Sequence, residues 1–200
     1  MNSSKSNHYA LQSLKESQGV LNAFVSQENL LDSFDRAVEI LVNSFQSGIP
    51  VISCGNGGST CDAMHFAEEF TGRYQKDRAA LPALAVSDPS HLTCVANDFG
   101  FEEVFARQVE AFGRKGGALL AISTSGNSKN VIKAIQAAKK RGVFVIGLSG
   151  ENGGEMKPLC DVCFLVPSRH TDRIQEVHIK IIHNLIEGVE RKLFPENYTN

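Results

Sequence analysis

The chain has 200 residues, 42% of them hydrophobic, and 20 basic side chains stand against 22 acidic ones for a net charge of -2. That is enough chain for one domain with a real core, and a balance so near neutrality argues against a nucleic-acid surface. No run approaches about eighteen apolar residues, and no apolar signal segment follows the amino terminus, so a cytoplasmic protein without membrane contact is expected.

Leu11, Leu14, Val20, Leu21 and Phe24 fall on one side of a helix. Leu30, Leu31, Phe34, Val38, Leu41, Val42 and Phe45 fall on one side of a second, which Gly48 ends. Pro50 to Cys54 then reads as a short apolar strand running into Gly55-Asn-Gly-Gly-Ser59, with a helix from Ser59 to about Tyr74. Leu84 to Val86 is strand-like, and helical pieces follow near Ser90 to Ala96 and Glu102 to Phe112. A strand over 118–122 leads through Ser123-Thr-Ser-Gly-Asn-Ser128 into a helix over 129–141, whose closing Lys139, Lys140 and Arg141 offset its dipole. A strand over 143–148 leads to a turn over 150–154, and a strand over 162–166 leads to a long final helix from about 171 to 193. Five short apolar strands separated by helices predict an α/β fold with a parallel sheet covered on both faces. We expect one domain over 1–200, with a helical amino-terminal extension over 8–48 that either caps the sheet or packs on a neighbouring subunit.

Ligands of such sheets bind beyond the carboxyl ends of the strands, and both polar loops fall at that edge. The loop 123–128 offers the hydroxyls of Ser123, Thr124, Ser125 and Ser128 before a helix start, whose open N–H groups and dipole suit an anion. It contains no lysine and no triphosphate-binding motif, so it reads either as a grip for a small phosphorylated ligand or as an ordinary helix cap. Gly55 to Ser59 lacks the third glycine of a dinucleotide fingerprint. The cysteines are odd in number at five, and each lies in or beside an apolar run, which favours buried free thiols. Cys160 and Cys163 have ligand-like spacing without a second pair, in and before a strand whose side chains alternate between faces.

Asp62, His65 and Glu69 form a polar stripe on the helix after the first loop, continuing to Arg73, opposite an apolar face of Met64, Phe66, Ala67 and Phe70. The final helix sets Gln175 and His183 eight residues apart, about 80° round its axis, so both can enter one cleft. His178 is rotated away and reads as a core histidine. His65, Glu69, Gln175 and His183 either hold a divalent ion of zinc or nickel type or act directly as base and acid. His65 and Glu69 alone also fit a solvated helix pair.

Six separated segments together resemble the bacterial phosphoheptose isomerases of the sugar isomerase (SIS) domain superfamily, from about residue 10 to 194. They are Cys54-Gly-Asn-Gly-Gly-Ser59, Asp62-Ala-Met-His-Phe-Ala-Glu-Glu69, Thr71-Gly-Arg-Tyr74, Ala96-Asn-Asp-Phe-Gly100, Ser123-Thr-Ser-Gly-Asn-Ser128 and Asp172-Arg-Ile-Gln-Glu-Val-His178. The resemblance implies a flavodoxin-like five-stranded sheet in a homotetramer with shared active sites. It implies phosphate binding by Ser123, Thr124, Ser125 and Ser128, and further substrate contacts from Asn56, Gly57, Gly58, Asn97, Asp98, Glu69 and Gln175. It also implies a Zn2+ ion on His65, Glu69, Gln175 and His183, with Glu69 and His183 as the catalytic pair and Arg73 and Asp172 lining the pocket. The implied reaction turns sedoheptulose 7-phosphate into D-glycero-D-manno-heptose 7-phosphate, early in ADP-heptose and lipopolysaccharide core synthesis. Thr60 stands where some relatives carry histidine, and Ser168 to Thr171 is compact. Two alternatives accompany this reading. One is an isomerase of a shorter sugar phosphate. The other is a non-catalytic regulator that binds the replication initiator; this relative lacks the acid–base set that Glu69 and His183 supply here.

Overall fold

The computed structural model describes residues 8–199, so the reading of the first seven residues lies outside it. Two helices lead, α1 (His8–Val25) and α2 (Leu30–Gln46), followed by β1 (Val51–Gly55), α3 (Gly58–Thr71), β2 (Ala83–Ala85), α4 (Pro89–Phe99) and α5 (Ala106–Phe112). Then come β3 (Ala118–Ser123), α6 (Lys129–Lys140), β4 (Phe144–Ser149), β5 (Val162–Leu165) and α7 (Thr171–Leu193). The five strands form one parallel sheet in the order β2-β1-β3-β4-β5, the flavodoxin-like winding expected.

Alternation along the central strands feeds two cores. Leu120 and Ile122 of β3 face the layer of α2, α3 and α7, with Phe66, Phe70, Ile181 and Leu185. Leu119 and Ala121 face the layer of α5 and α6, with Val109, Val131 and Ile135. All residues of β1 and β3 are buried, as strands covered on both sides must be. Among the described residues, no helix is long and apolar enough to cross a membrane.

Several expectations shift. The helix expected over Glu102–Phe112 is broken into a 3-10 turn at Phe101–Glu103 and α5. Residues Gly154–Leu159 form a 3-10 helix directly after the expected turn. Helix α3 stops at Thr71 instead of Tyr74, because Arg78 takes the carbonyls of Phe70 and Gly72 at 2.7 and 3.0 Å. Met64 is exposed rather than part of the apolar face, which Ala63, Phe66, Ala67 and Phe70 supply. Only Cys54 is a buried thiol; Cys61 and Cys94 are exposed, on the outer sides of α3 and α4. Cys160 and Cys163 do not face opposite ways: both sulfurs lie against Gly147, because the chain bends before β5 begins at Val162. Helix α1 buries only Phe24 and leaves Leu11, Leu14 and Val25 exposed.

Candidate active site

The winding direction of the sheet reverses between β1 and β3, so the chain leaves β1 toward one layer and β3 toward the other. A crevice opens between the two exits. A cavity of about 280 Å³ lies there, lined by Asn56, Gly57, Gly58, Ser59, Ile122, Ser123, Thr124, Ser128, Thr171 and Gln175. Three helices begin at its wall: α3 at Gly57 and Gly58, α6 at Ser128 and α7 at Thr171. In none of the three does the side chain of the N-cap residue accept a hydrogen bond from the first turn. Three positive helix ends therefore converge on one small volume, an arrangement suited to a phosphate.

Hydroxyls complete the cradle. Ser123 Oγ lies 2.9 Å from Ser128 Oγ and 3.5 Å from Ser125 Oγ, and the Asn127 N–H donates to Ser125 Oγ at 3.1 Å. The loop is backed by the 150–154 turn so closely that a Cβ on Gly126 would collide with the Gly153 carbonyl oxygen. Sequence reasoning did not single out Asn130, which is buried and exchanges two hydrogen bonds of 2.8 Å with Asn56.

Farther along α3 and α7 lies a second group. His65 Nε2 stands 3.2 Å from Glu69 Oε1 and 3.1 Å from His183 Nε2. The donor atoms of these three residues all fall within 4.8 Å of one another. The two spacings from His65 Nε2 are close to the edge of about 3.3 Å in a tetrahedron with bonds of about 2.0–2.1 Å. The donor set is therefore compatible with a metal-binding site. Burial raises the Glu69 carboxyl above its usual range, helped by Glu68 and opposed by His65. Burial and the neighbouring His65 and Lys180 lower His183. Asp62 is pushed up to about 6 by burial, and its Oδ2 is buried without a hydrogen-bond partner.

The carboxyl end of α3 is locked to α7. Arg78 donates to the Glu69, Phe70 and Gly72 carbonyls and pairs with Glu190 at 2.7 Å, both side chains being essentially inaccessible. This contact fixes the height at which Glu69 meets His183. His178 is buried and donates from Nε2 to the Ser149 carbonyl at 3.2 Å, the core role expected of it.

Comparison with known proteins places this architecture. The SIS domain family matches residues 14–150. The phosphoheptose isomerase of Fusobacterium nucleatum is 52% identical over 188 residues, covering 94% of this chain and 97% of the relative. The chain belongs to the phosphoheptose isomerase family. The solved phosphoheptose isomerase of Neisseria gonorrhoeae superposes with a TM-score of 0.86 at 38% identity, covering 92% of this chain and 98% of that one. That of Francisella tularensis gives 0.88 at 31% identity, covering 94% and 99%.

Within one chain, the family's expected set divides. Asn56, Gly57, Gly58, Ser123, Thr124, Ser128 and Gln175 line the cavity, while Ser125 is exposed and is not part of that lining. His65, Glu69 and His183 form the cluster, but the Gln175 amide lies against Gly58, two turns of α7 from His183. Arg73 is exposed beyond the end of α3. Asn97 and Asp98 are exposed near the end of α4, hydrogen-bonded to each other at 2.8 Å. Asp172 is exposed and pairs with Arg173 at 3.0 Å.

Proposed function

We propose that this protein converts sedoheptulose 7-phosphate to D-glycero-D-manno-heptose 7-phosphate. The observation that carries this reading is the pairing of two sites on α3 and α7. An anion cradle sits at their amino ends, and the His65–Glu69–His183 cluster lies along their lengths. In this reading, Ser123, Thr124, Ser125 and Ser128 hold the phosphate with the helix ends, and Asn56, Gly57, Gly58 and Gln175 hold the sugar. Glu69 takes a proton from C1 to give the cis-enediol, and its raised affinity for protons suits a carboxylate base. His183 returns a proton at C2, and the O1 hydroxyl gives up a proton to balance the one gained at O2, so the carbonyl moves to C1. His65, Glu69 and His183 would hold a zinc-type ion, which when bound would polarise the substrate oxygens; Gln175 as a fourth ligand would have to swing from Gly58.

We propose a single SIS domain with a helical extension over 8–48, assembled as a homotetramer. Two observations support the assembly. Leu11, Leu14, Val25 and Leu31 expose an apolar face. Arg73, Asn97 and Asp98 stand outside the cavity of their own chain, where a neighbouring subunit's site can use them. Light scattering should give four times the chain mass; an active species of one chain mass refutes it.

The test of function is turnover of ketose phosphates of five, six and seven carbons by wild type and Glu69→Gln. We expect preference for the seven-carbon sugar and loss of turnover in the variant with binding retained. A preference for fructose 6-phosphate overturns the substrate, and near-normal kcat in Glu69→Gln overturns the base.

A further inference from the structure

We infer that Asn130 is a positioning residue for substrate binding: its amide, paired with that of Asn56, holds the β1 loop in its ligand-binding conformation. The inference rests on the isomerase reading for its kinetic consequence, though not for the tether itself.

The β1–α3 loop has little stiffness of its own. Gly57 adopts φ 57° and ψ -123°, a conformation open almost only to glycine, and Gly58 follows it. Such a segment loses more freedom on ordering than any other, so something must hold it. The pair does so across 74 positions of sequence: Asn56 Nδ2 donates to Asn130 Oδ1 and Asn130 Nδ2 donates to Asn56 Oδ1, each at 2.8 Å. The direction of the pair is set from within α6. The Val131 N–H donates to Asn130 Oδ1 at 3.0 Å, so that atom must be the oxygen, and the Asn56 amide must turn to match. Asn130 is only 3% exposed, which removes competition from water.

The consequence concerns what Asn56 offers a ligand. Its amide is already engaged by Asn130, so the loop meets the sugar phosphate chiefly through its backbone and the open end of α3. Ser123 and Ser128 tie the other loop to the start of α6. Both walls of the cavity therefore hang on the first turn of one helix, and Asn130 is the link to the wall that carries the glycines.

The experiment uses the full chain as Asn130→Ala, Asn130→Ser, Asn56→Ala and the Asn56→Ala/Asn130→Ala double variant. Serine keeps a hydroxyl in the first turn of α6 but is too short to reach Asn56, and it stands in should the alanine variant fail to fold. Hydrogen–deuterium exchange over 54–62 reads the tether without substrate. We expect exchange at least about tenfold faster in either Asn130 variant, since a pinned loop opens far less often. With sedoheptulose 7-phosphate, KM should rise about tenfold while kcat and its pH profile hold within about threefold. The double variant should be no worse than the worse single one, because both remove the same pair.

Unchanged exchange overturns the tether. Faster exchange with KM within about twofold of wild type overturns its role in binding, and so do single effects that multiply in the double variant. A wild-type protein that turns over no sugar phosphate sinks the isomerase reading instead, and exchange still judges the tether.

Discussion

Gly58→Ala separates stability from activity at the mouth of the cavity. An alanine Cβ there would stand 2.5 Å from Gln175 Nε2, 2.8 Å from Oε1 and 2.9 Å from Cδ. Ordinary contacts begin near 3.5 Å, so the amide must withdraw by about 1 Å. The obstacle is the end of a flexible side chain, and a strained rotamer costs about 0.5–1.5 kcal/mol. Gly58 is also the first residue of α3, where alanine recovers up to about 0.8–1 kcal/mol of helix propensity. The two nearly cancel, and the melting temperature should move by less than about 3 °C. Activity should not be spared, because a misplacement of about 1 Å in a binding group can cost about a hundredfold in rate. Thermal melting beside kcat/KM for sedoheptulose 7-phosphate decides it. Wild-type kcat/KM in a folded variant would show that the Gln175 amide is not needed where it lies, and a collapse in melting temperature would show that the contact is rigid.

Glu190→Gln leaves the inaccessible Arg78 cation without its counter-charge and should cost about 3–5 kcal/mol in urea unfolding; a loss below about 1 kcal/mol contradicts the burial argument. Burial pushes His178 down to about 4, with its Nδ1 left unpartnered. The unfolded chain then binds the extra proton first as pH falls below about 6.5, so stability drops between there and about 4, by about 2 kcal/mol at pH 5. Urea unfolding of His178→Gln should lose that component; an identical pH slope in the variant refutes it. Chelation should abolish turnover, and zinc should restore it, with one ion per His65–Glu69–His183 cluster by elemental analysis; full activity in metal-free protein leaves Glu69 and His183 as the whole of the catalytic apparatus.

The layered fold was legible because β1, β3 and β4 are apolar runs bounded by glycine and polar turns. The 3-10 helix at Gly154–Leu159 was not, since Gly153 before it and Gly154 and Pro158 within it look like loop and carry no helical period. His65 and Glu69 were visible as an i,i+4 pair, and His183 as a polar residue on an apolar helix. The amide of Gln175 lies over Gly58, and no sequence pattern shows this, because the space that receives it is a tertiary fact. Asn130 left no local signal: an asparagine in a first helical turn is ordinary, and its partner lies 74 residues away. Thiol exposure failed for a related reason, since an apolar neighbourhood in sequence does not say which side of a helix a cysteine takes.

Helices α3 and α7 both begin at the cavity wall and run from there to the His65–Glu69–His183 cluster. Seven residues separate Gly58 from His65 and eight separate Gln175 from His183, which at helical rise is about 10 and 12 Å. Under the proposed function, the helices act as a paired ruler, with its zero at the phosphate and its mark at the reacting carbons. Under that proposal, carbon number would be gauged by peptide geometry rather than by a blocking wall. Enlarging the cavity leaves that calibration untouched, whereas adding or removing one residue within either span resets it.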